Sequence, residues 1–270
     1  MNIILYILIF SIGTLFGSFF TLAVYRIPLK KDITHERSFC PNCNHRLEFL
    51  DLIPLLSYIF LGGKCRYCKQ KIRPRYFLLE LTSGIVFVLF AVSLKLDILH
   101  TNINTWIHFI FAILYLASLF IIAGIDKEKI QIQKSVLLFG FIIQAIYIIY
   151  LYIVEENFNI YRYVIYLIII CILMIIDIWI LRKNAKNSYI IENLLLCMLI
   201  LGYTYEIVTI LTIIYTLLCI AFQLLLKQIS ERRNKTVKKD ATVSQIPIGF
   251  YLCVTNIICL IITNFYTSGI

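Results

Sequence analysis

Residues Trp106–Lys129 read WIHFIFAILYLASLFIIAGIDKEK. From Trp106 to Ile125 there is no Asp, Glu, Lys or Arg. At 1.5 Å rise per residue, such a run is about 30 Å long as a helix, the thickness of a bilayer's hydrocarbon core. It stops on Asp126, with Lys127, Glu128 and Lys129 behind it. The stretch predicts a membrane-spanning helix with a carboxylate at its edge.

Working outward, the same pattern recurs. Apolar runs cover Ile3–Val24, Tyr76–Leu94, Val136–Val154, Tyr163–Leu181, Ile207–Leu226 and Pro247–Phe265, and a shorter one covers Ile190–Tyr203. The 270 residues are 61% hydrophobic and 15% charged, with a mean hydropathy of +0.88. Soluble domains run nearer 45–50% apolar and about 25% charged. The expected fold is an all-α polytopic membrane protein of about eight transmembrane helices. Met1–Val24 has neither a basic leading region nor a small-residue cleavage site, so it reads as a retained anchor.

The net charge of +10 is a topology signal. Of the 25 Lys and Arg residues, 23 fall in 26–75, 127–134, 182–186 and 227–239, which are alternate loops if 190–203 crosses. The positive-inside rule places these loops in the cytoplasm and both termini outside, in a plasma membrane, and leaves no role for nucleic acid.

The first basic loop carries Cys40-Pro-Asn-Cys43 and Cys65-Arg-Tyr-Cys68, separated by 21 residues. Two such pairs can offer four thiolates to one tetrahedral zinc, and a bound metal would let this loop fold without a large core. Lys64, Arg66, Lys69, Lys71 and Arg73 favour thiolate, and a reducing cytoplasm argues against disulfides. His35 and His45 lie nearby, but four cysteines already close the site. The expected domains are a first helix over 1–25, a cytoplasmic four-cysteine zinc-binding domain over 26–75, and a membrane core over 76–270. Cys171, Cys197, Cys219, Cys253 and Cys259 sit in apolar runs, where cysteine acts as a small hydrophobe.

Acidic residues within spans cost roughly 2.5–3.5 kcal/mol each at mid-bilayer, so each invites a functional reading. Glu80, Asp126, Asp177 and Glu192 all fall near cytoplasmic span ends. Two such acids brought together can share a proton, one carboxylate activating water while its protonated partner polarises a carbonyl. Each could instead pair with a basic neighbour, Asp126 with Lys127 or Lys129 and Glu80 with Arg75. The sequence has no Gly-rich phosphate loop, no His-Glu-x-x-His and no nucleophile elbow.

The stretches GSFFTLAVYRIP (17–28) and RSFCPNCNHRLEFLDLIPLLSYIFLGGKCRYCKQKIRPRYFLLELTSG (37–84) resemble the amino-terminal half of type IV prepilin peptidases. The resemblance is carried by both cysteine pairs, Asp51-Leu-Ile-Pro54, Leu56-Ser-Tyr58, Gly63-Lys-Cys65-Arg66, Arg75-Tyr76 and Glu80. QIPIGFYL (245–252) is similar to the family's closing segment, with Ile248 replacing a phenylalanine. The resemblance implies a membrane aspartic peptidase that removes the leader of prepilins or pseudopilins at the cytoplasmic face. It implies too that the new amino terminus is methylated with S-adenosylmethionine.

By the same resemblance, Asp126 corresponds to the first catalytic aspartate, although Gln133 and Lys134 replace the proline and aspartate that follow in the family. The second catalytic motif, Gly-x-Gly-Asp-x-Lys, is replaced by KNSYIIENLLL, in which Glu192 is the acid. Glu192 is therefore the expected second carboxylate, with Asp177 and Glu80 as alternatives. A relative that binds pilin precursors without cutting them, and a metal-stabilised transporter or structural membrane protein, are the other readings.

Overall fold

The computed structural model describes residues 2–33, 37–40, 42–154, 159–183, 188–233 and 246–267, with the backbone alone for 180–183, 188 and 230–233. His35, Pro41, Glu155, Glu156, Gln245 and most of the basic residues of 182–186 and 227–239 lie outside these or lack described side chains. Nine α-helices are described: α1 (Asn2–Arg26), α2 (Leu56–Phe60), α3 (Arg75–Ser93), α4 (Ile103–Lys129), α5 (Lys134–Val154), α6 (Ile160–Lys183), α7 (Ser188–Tyr203), α8 (Glu206–Arg233) and α9 (Ile248–Thr267). Among the described residues there is no β-strand, only two isolated bridges.

The chain is a multi-pass membrane protein. Seven helices are long and apolar enough to cross a bilayer, and α7 is a shorter apolar helix. The physical reason for an all-helical chain is that a backbone in lipid must satisfy its polar groups within its own segment. That constraint overrides the modest helix propensity of isoleucine, which is why Ile-rich α6 is helical with only 6% of its apolar window buried. The third span runs further than the hydropathy predicts: α4 continues past Asp126 to Lys129 and ends at Ile130, whose φ is +51°.

The chain divides into two units, Met1–Ile121 with Asn264–Ile270, and Ile122–Thr263. In the first unit, α1 and α3 cross closely at small residues. Gly13 and Gly17 face Ser83 and Gly84, and Ser83 Oγ donates to the Gly13 carbonyl at 2.7 Å. A Cβ on Gly17 would sit 2.6 Å from Glu80 Cα. Lipid tails supply no hydrophobic drive for helix pairing, so close backbone approach through small residues takes its place. Fully buried Phe20 stacks on Phe120, with ring centroids 5.5 Å apart.

In the second unit, polar side chains join α8 to α9. Thr216 and Thr255 hydroxyls lie 2.7 Å apart, and Asn256 donates to Thr212 Oγ1 at 3.2 Å. Lys134, which opens α5, forms an ion pair with Asp177 of α6.

Candidate functional site

Between α1 and α3 the two cysteine pairs form matching knuckles. Phe39 bridges to Arg46 around the first, and Lys64 to Lys71 around the second. Cys40 N–H donates to His45 O at 3.0 Å, and Cys65 N–H to Gln70 O at 2.9 Å. In each, the residue after the second cysteine turns left-handed: Asn44 at φ +55° and Lys69 at φ +58°. This local fold turns both thiols of a pair to one side. The four Sγ atoms lie within 4.8 Å of one another, and those of Cys40 and Cys68 are 3.8 Å apart. Four metal–sulfur bonds of about 2.3 Å in a tetrahedron require sulfur–sulfur edges of about 3.8 Å, so the thiols fit a tetrahedral ion.

All four are free thiols. The Asn42 amide donates to the Cys68 sulfur at 3.5 Å and, with the Gln70 backbone, holds that thiol down to about 6. The His45 and Tyr67 rings lie against each other at a tilt of 35°, with centroids 3.5 Å apart.

Acids of this unit brace the knuckles. Asp51 pairs with Arg66 at 2.7 Å and accepts Glu48 N–H at 3.3 Å. Glu80 accepts the Leu55 N–H at 2.8 Å. Leu55 itself is held at φ +60°, a conformation unusual for a leucine. Buried Arg26, at the end of α1, donates to the carbonyls of Asp32 at 2.9 Å and Arg37 at 3.3 Å.

The second unit holds a different constellation. Asp126 is fully buried near the end of α4. Tyr189, in the first turn of α7, donates its hydroxyl to both carboxylate oxygens at 2.9 and 3.1 Å. At the start of α9, the Phe250 N–H donates to Oδ2 at 2.8 Å, and the Ile248 N–H donates to the Tyr189 hydroxyl oxygen at 2.9 Å. The first N–H groups of a helix lack intrahelical acceptors, and they carry the positive end of its dipole. Asp126 and Tyr189 thus serve as the polar cap of α9. Lys127 lies over the Phe250 ring, 4.7 Å from its centroid.

Gly249 makes this approach feasible. A Cβ there would meet Asp126 Oδ2 and Ile132 Cδ1, each at 3.1 Å, and Asn193 Oδ1 at 3.4 Å. Asn193 is buried one turn beyond Tyr189, and its Nδ2 donates to the Tyr189 carbonyl at 2.8 Å.

Of the acids marked in the sequence, Asp126, Asp177 and Glu192 are all buried, on α4, α6 and α7. Asp177 is neutralised by Lys134, and Glu80 supports the Leu55 turn. Sequence reasoning missed Tyr189, Asn193 and Gly249. The available signals were two polar residues four apart at the head of α7 and the Pro247-Ile248-Gly249 helix start.

Comparison with known proteins adds the following. Residues 11–94 match the family described as bacterial peptidase A24 N-terminal domain. Prepilin leader peptidase/N-methyltransferase from Vibrio cholerae is 42% identical over 90 residues, which is 30% of this chain and 36% of that protein. The Klebsiella pneumoniae protein of the same name is 42% identical over 87 residues, covering 30% and 38%. The Bacillus subtilis one is 32% identical over 136 residues, covering 49% and 50%. The matched stretches thus span half or less of these relatives' own length. No solved structure matches the chain. The stretch similar to the bacterial peptidase A24 N-terminal domain thus takes in most of α1, the knuckles and α3, and the match ends before α4 begins.

Proposed function

We propose that this chain is a prepilin leader peptidase that removes the leader of type IV prepilins or pseudopilins at the cytoplasmic membrane face. Its relatives' names join that activity to N-methylation, and the reading extends to methylating the new amino terminus with S-adenosylmethionine. The observation that carries it is the pairing, in one chain, of an A24 N-terminal domain with a fully buried carboxylate, Asp126, near the end of an apolar helix. A carboxylate kept from bulk water by apolar neighbours, with its lone pairs directed by fixed donors, suits proton transfer at a peptide bond.

In this reading Asp126 takes the proton of the attacking water, and Glu192 is the expected second acid. Cys40, Cys43, Cys65 and Cys68 hold a structural zinc. The domains are 1–25, 26–75 and 76–270, with the zinc loop in the cytoplasm, both termini outside, and lipid and prepilin as the partners. A closed four-thiolate site has no open position for substrate, so zinc would brace the loop.

The test is co-expression with a prepilin from the same genome, following leader removal by gel shift. Wild type should cleave and Asp126→Asn should not. One observation favours a second reading, a relative that binds precursors without cutting. The Asp126 carboxylate already accepts bonds from Tyr189 and from the start of α9. Co-purification of uncut prepilin with wild type, with no cleavage, would select it.

A further inference from the structure

We propose that residues 49–61, which link the two knuckles, dock on the anionic surface of the bilayer, their apolar face among the headgroups and upper acyl chains. The proposal concerns the first unit alone and holds whether or not the chain cuts prepilins.

The stretch FLDLIPLLSYIFL (49–61) has one charged residue, Asp51, and Arg66 neutralises it at 2.7 Å. Thirteen residues are too few to cross about 30 Å of hydrocarbon, and an apolar run of that length belongs in a core or at an interface. It forms no core: Phe49 is 81% exposed and Phe60 82%. In α2, exposed Leu56, Ile59 and Phe60 stand at i, i+3 and i+4, so they share one helical face. An exposed apolar face of this kind marks a contact surface.

The contacts of the stretch fix its level. Tyr58 stacks on Phe77, with ring centroids 5.1 Å apart, and the Leu55 N–H donates to Glu80 at 2.8 Å. Phe77 and Glu80 lie in the first two turns of α3. That span has 19 residues, about 28 Å of helix, so nearly all of it is needed to cross the hydrocarbon. Arg75 lies over the Tyr76 ring, 4.9 Å from its centroid. Lys31 lies over Tyr25, at 5.9 Å, where α1 ends. Tyrosines and cations at span ends mark the headgroup level. A segment held against the first two turns of α3 therefore lies at the boundary of headgroups and acyl chains, the depth that interfacial helices occupy.

Charge selects the kind of lipid. Residues 26–75 carry eleven Lys and Arg against four Asp and Glu. Arg46 before the stretch, and Lys64, Lys71 and Arg73 after it, are exposed. An apolar face flanked by cations is complementary to anionic headgroups, which attract basic segments beside a span. The docked stretch holds the two knuckles at the bilayer surface.

The experiment reconstitutes full-length protein into phosphatidylcholine vesicles with and without phosphatidylglycerol. Their acyl chains are brominated near the headgroup or near the chain end. Tryptophan emission is read from Phe49→Trp and Phe60→Trp as the difference from wild type, which keeps Trp106 and Trp179. Both variants replace one aromatic ring by another, so the fold is retained. With phosphatidylglycerol, the added tryptophans should emit at short wavelength. Bromine near the headgroup should quench them on the order of twofold, and bromine at the chain end far less. Arg46→Glu with Arg73→Glu, placed in Phe60→Trp, should reduce the quenching to its value in neutral lipid.

Long-wavelength, unquenched emission at both positions would overturn the proposal, since the stretch would then lie in water. Short-wavelength emission that no bromine quenches would overturn it too, because protein would be covering the face. So would emission that stays at long wavelength until a prepilin from the same genome is added, which makes the face a prepilin site. Equal quenching with and without phosphatidylglycerol would overturn the choice of an anionic surface.

Discussion

At the scale of single residues, Asp126 has an observed structural role and a proposed chemical one, and the two can be separated. Its carboxylate caps α9 through the Phe250 N–H and Tyr189, and in the proposed reaction it accepts a proton. Asp126→Asn keeps the shape and loses the basicity. Cleavage should fall on the order of 10³-fold or more, with a much smaller fall in the thermal unfolding midpoint. A collapse in stability equal to the loss of activity would mean that Asp126 is a cap only. Gly249→Ala tests the spacing from the other side. Its Cβ would sit 3.1 Å from both Asp126 Oδ2 and Ile132 Cδ1, so neighbours must shift, at roughly 1–3 kcal/mol. Activity should drop by at least roughly tenfold while the protein still inserts. Asp126 was legible in the sequence because a charge at the end of an apolar run is costly and therefore rare. Tyr189 was not, since a tyrosine at the head of a span is what the membrane interface ordinarily selects. Nor was Gly249, whose reason is a close approach between segments far apart in the chain.

At the scale of elements, the two knuckles and the α1–α3 crossing behave differently. The knuckles were legible because Cys-x-x-Cys is a local geometry, fixed by a turn whose last residue goes left-handed at Asn44 and Lys69. Their bracing was only partly so: the sequence marked Glu80 as a candidate catalytic acid, whereas its carboxylate holds the N–H of Leu55. Cys43→Ser should reduce bound zinc from about one per chain toward none under reducing conditions, measured by elemental analysis. Protease sensitivity of the 26–75 loop should rise, while α1 and α3 remain inserted. The helix crossing carries no hydropathy signal, because glycine on a lipid-facing and on a helix-facing side contributes alike to an apolar run. Gly17→Leu should push α1 off α3, since even a Cβ there would meet Glu80 Cα at 2.6 Å and overlap Ser83. The expected cost is above about 2 kcal/mol, read as a lowered unfolding midpoint in detergent. Gly62→Leu is the control for glycine as such: nothing lies within 4 Å of its Cβ position, and only its φ of +59° is strained.

At the scale of the whole molecule, the unsettled element is α7, and charge decides what hydropathy does not. Its 16 residues amount to about 24 Å of helix, short of a hydrocarbon core of about 30 Å. In the proposed eight-span topology the mismatch is bridged by local thinning of the bilayer, at a fraction of a kcal/mol per Å. The alternative is a helix that enters and returns, which would put the segment after α7 on the same side as the basic residues 182–186. That segment offers Tyr205 and Glu206 with no lysine or arginine up to Lys227, the pattern of an outside loop. A crossing α7 gives eight spans and sets the two ends of the chain on one side; a returning α7 gives seven and sets them on opposite sides. Reporter fusions separate these outcomes. Alkaline phosphatase, active only outside the cytoplasm, should be active when fused after Leu99, after Tyr205 and after Thr267, and silent after Lys69 and after Lys129. Activity after Leu99 with silence after both Tyr205 and Thr267 would show that α7 does not cross. The proposed cytoplasmic positions of Asp126 and the zinc loop would survive that result, because they depend on α1, α3 and α4 alone.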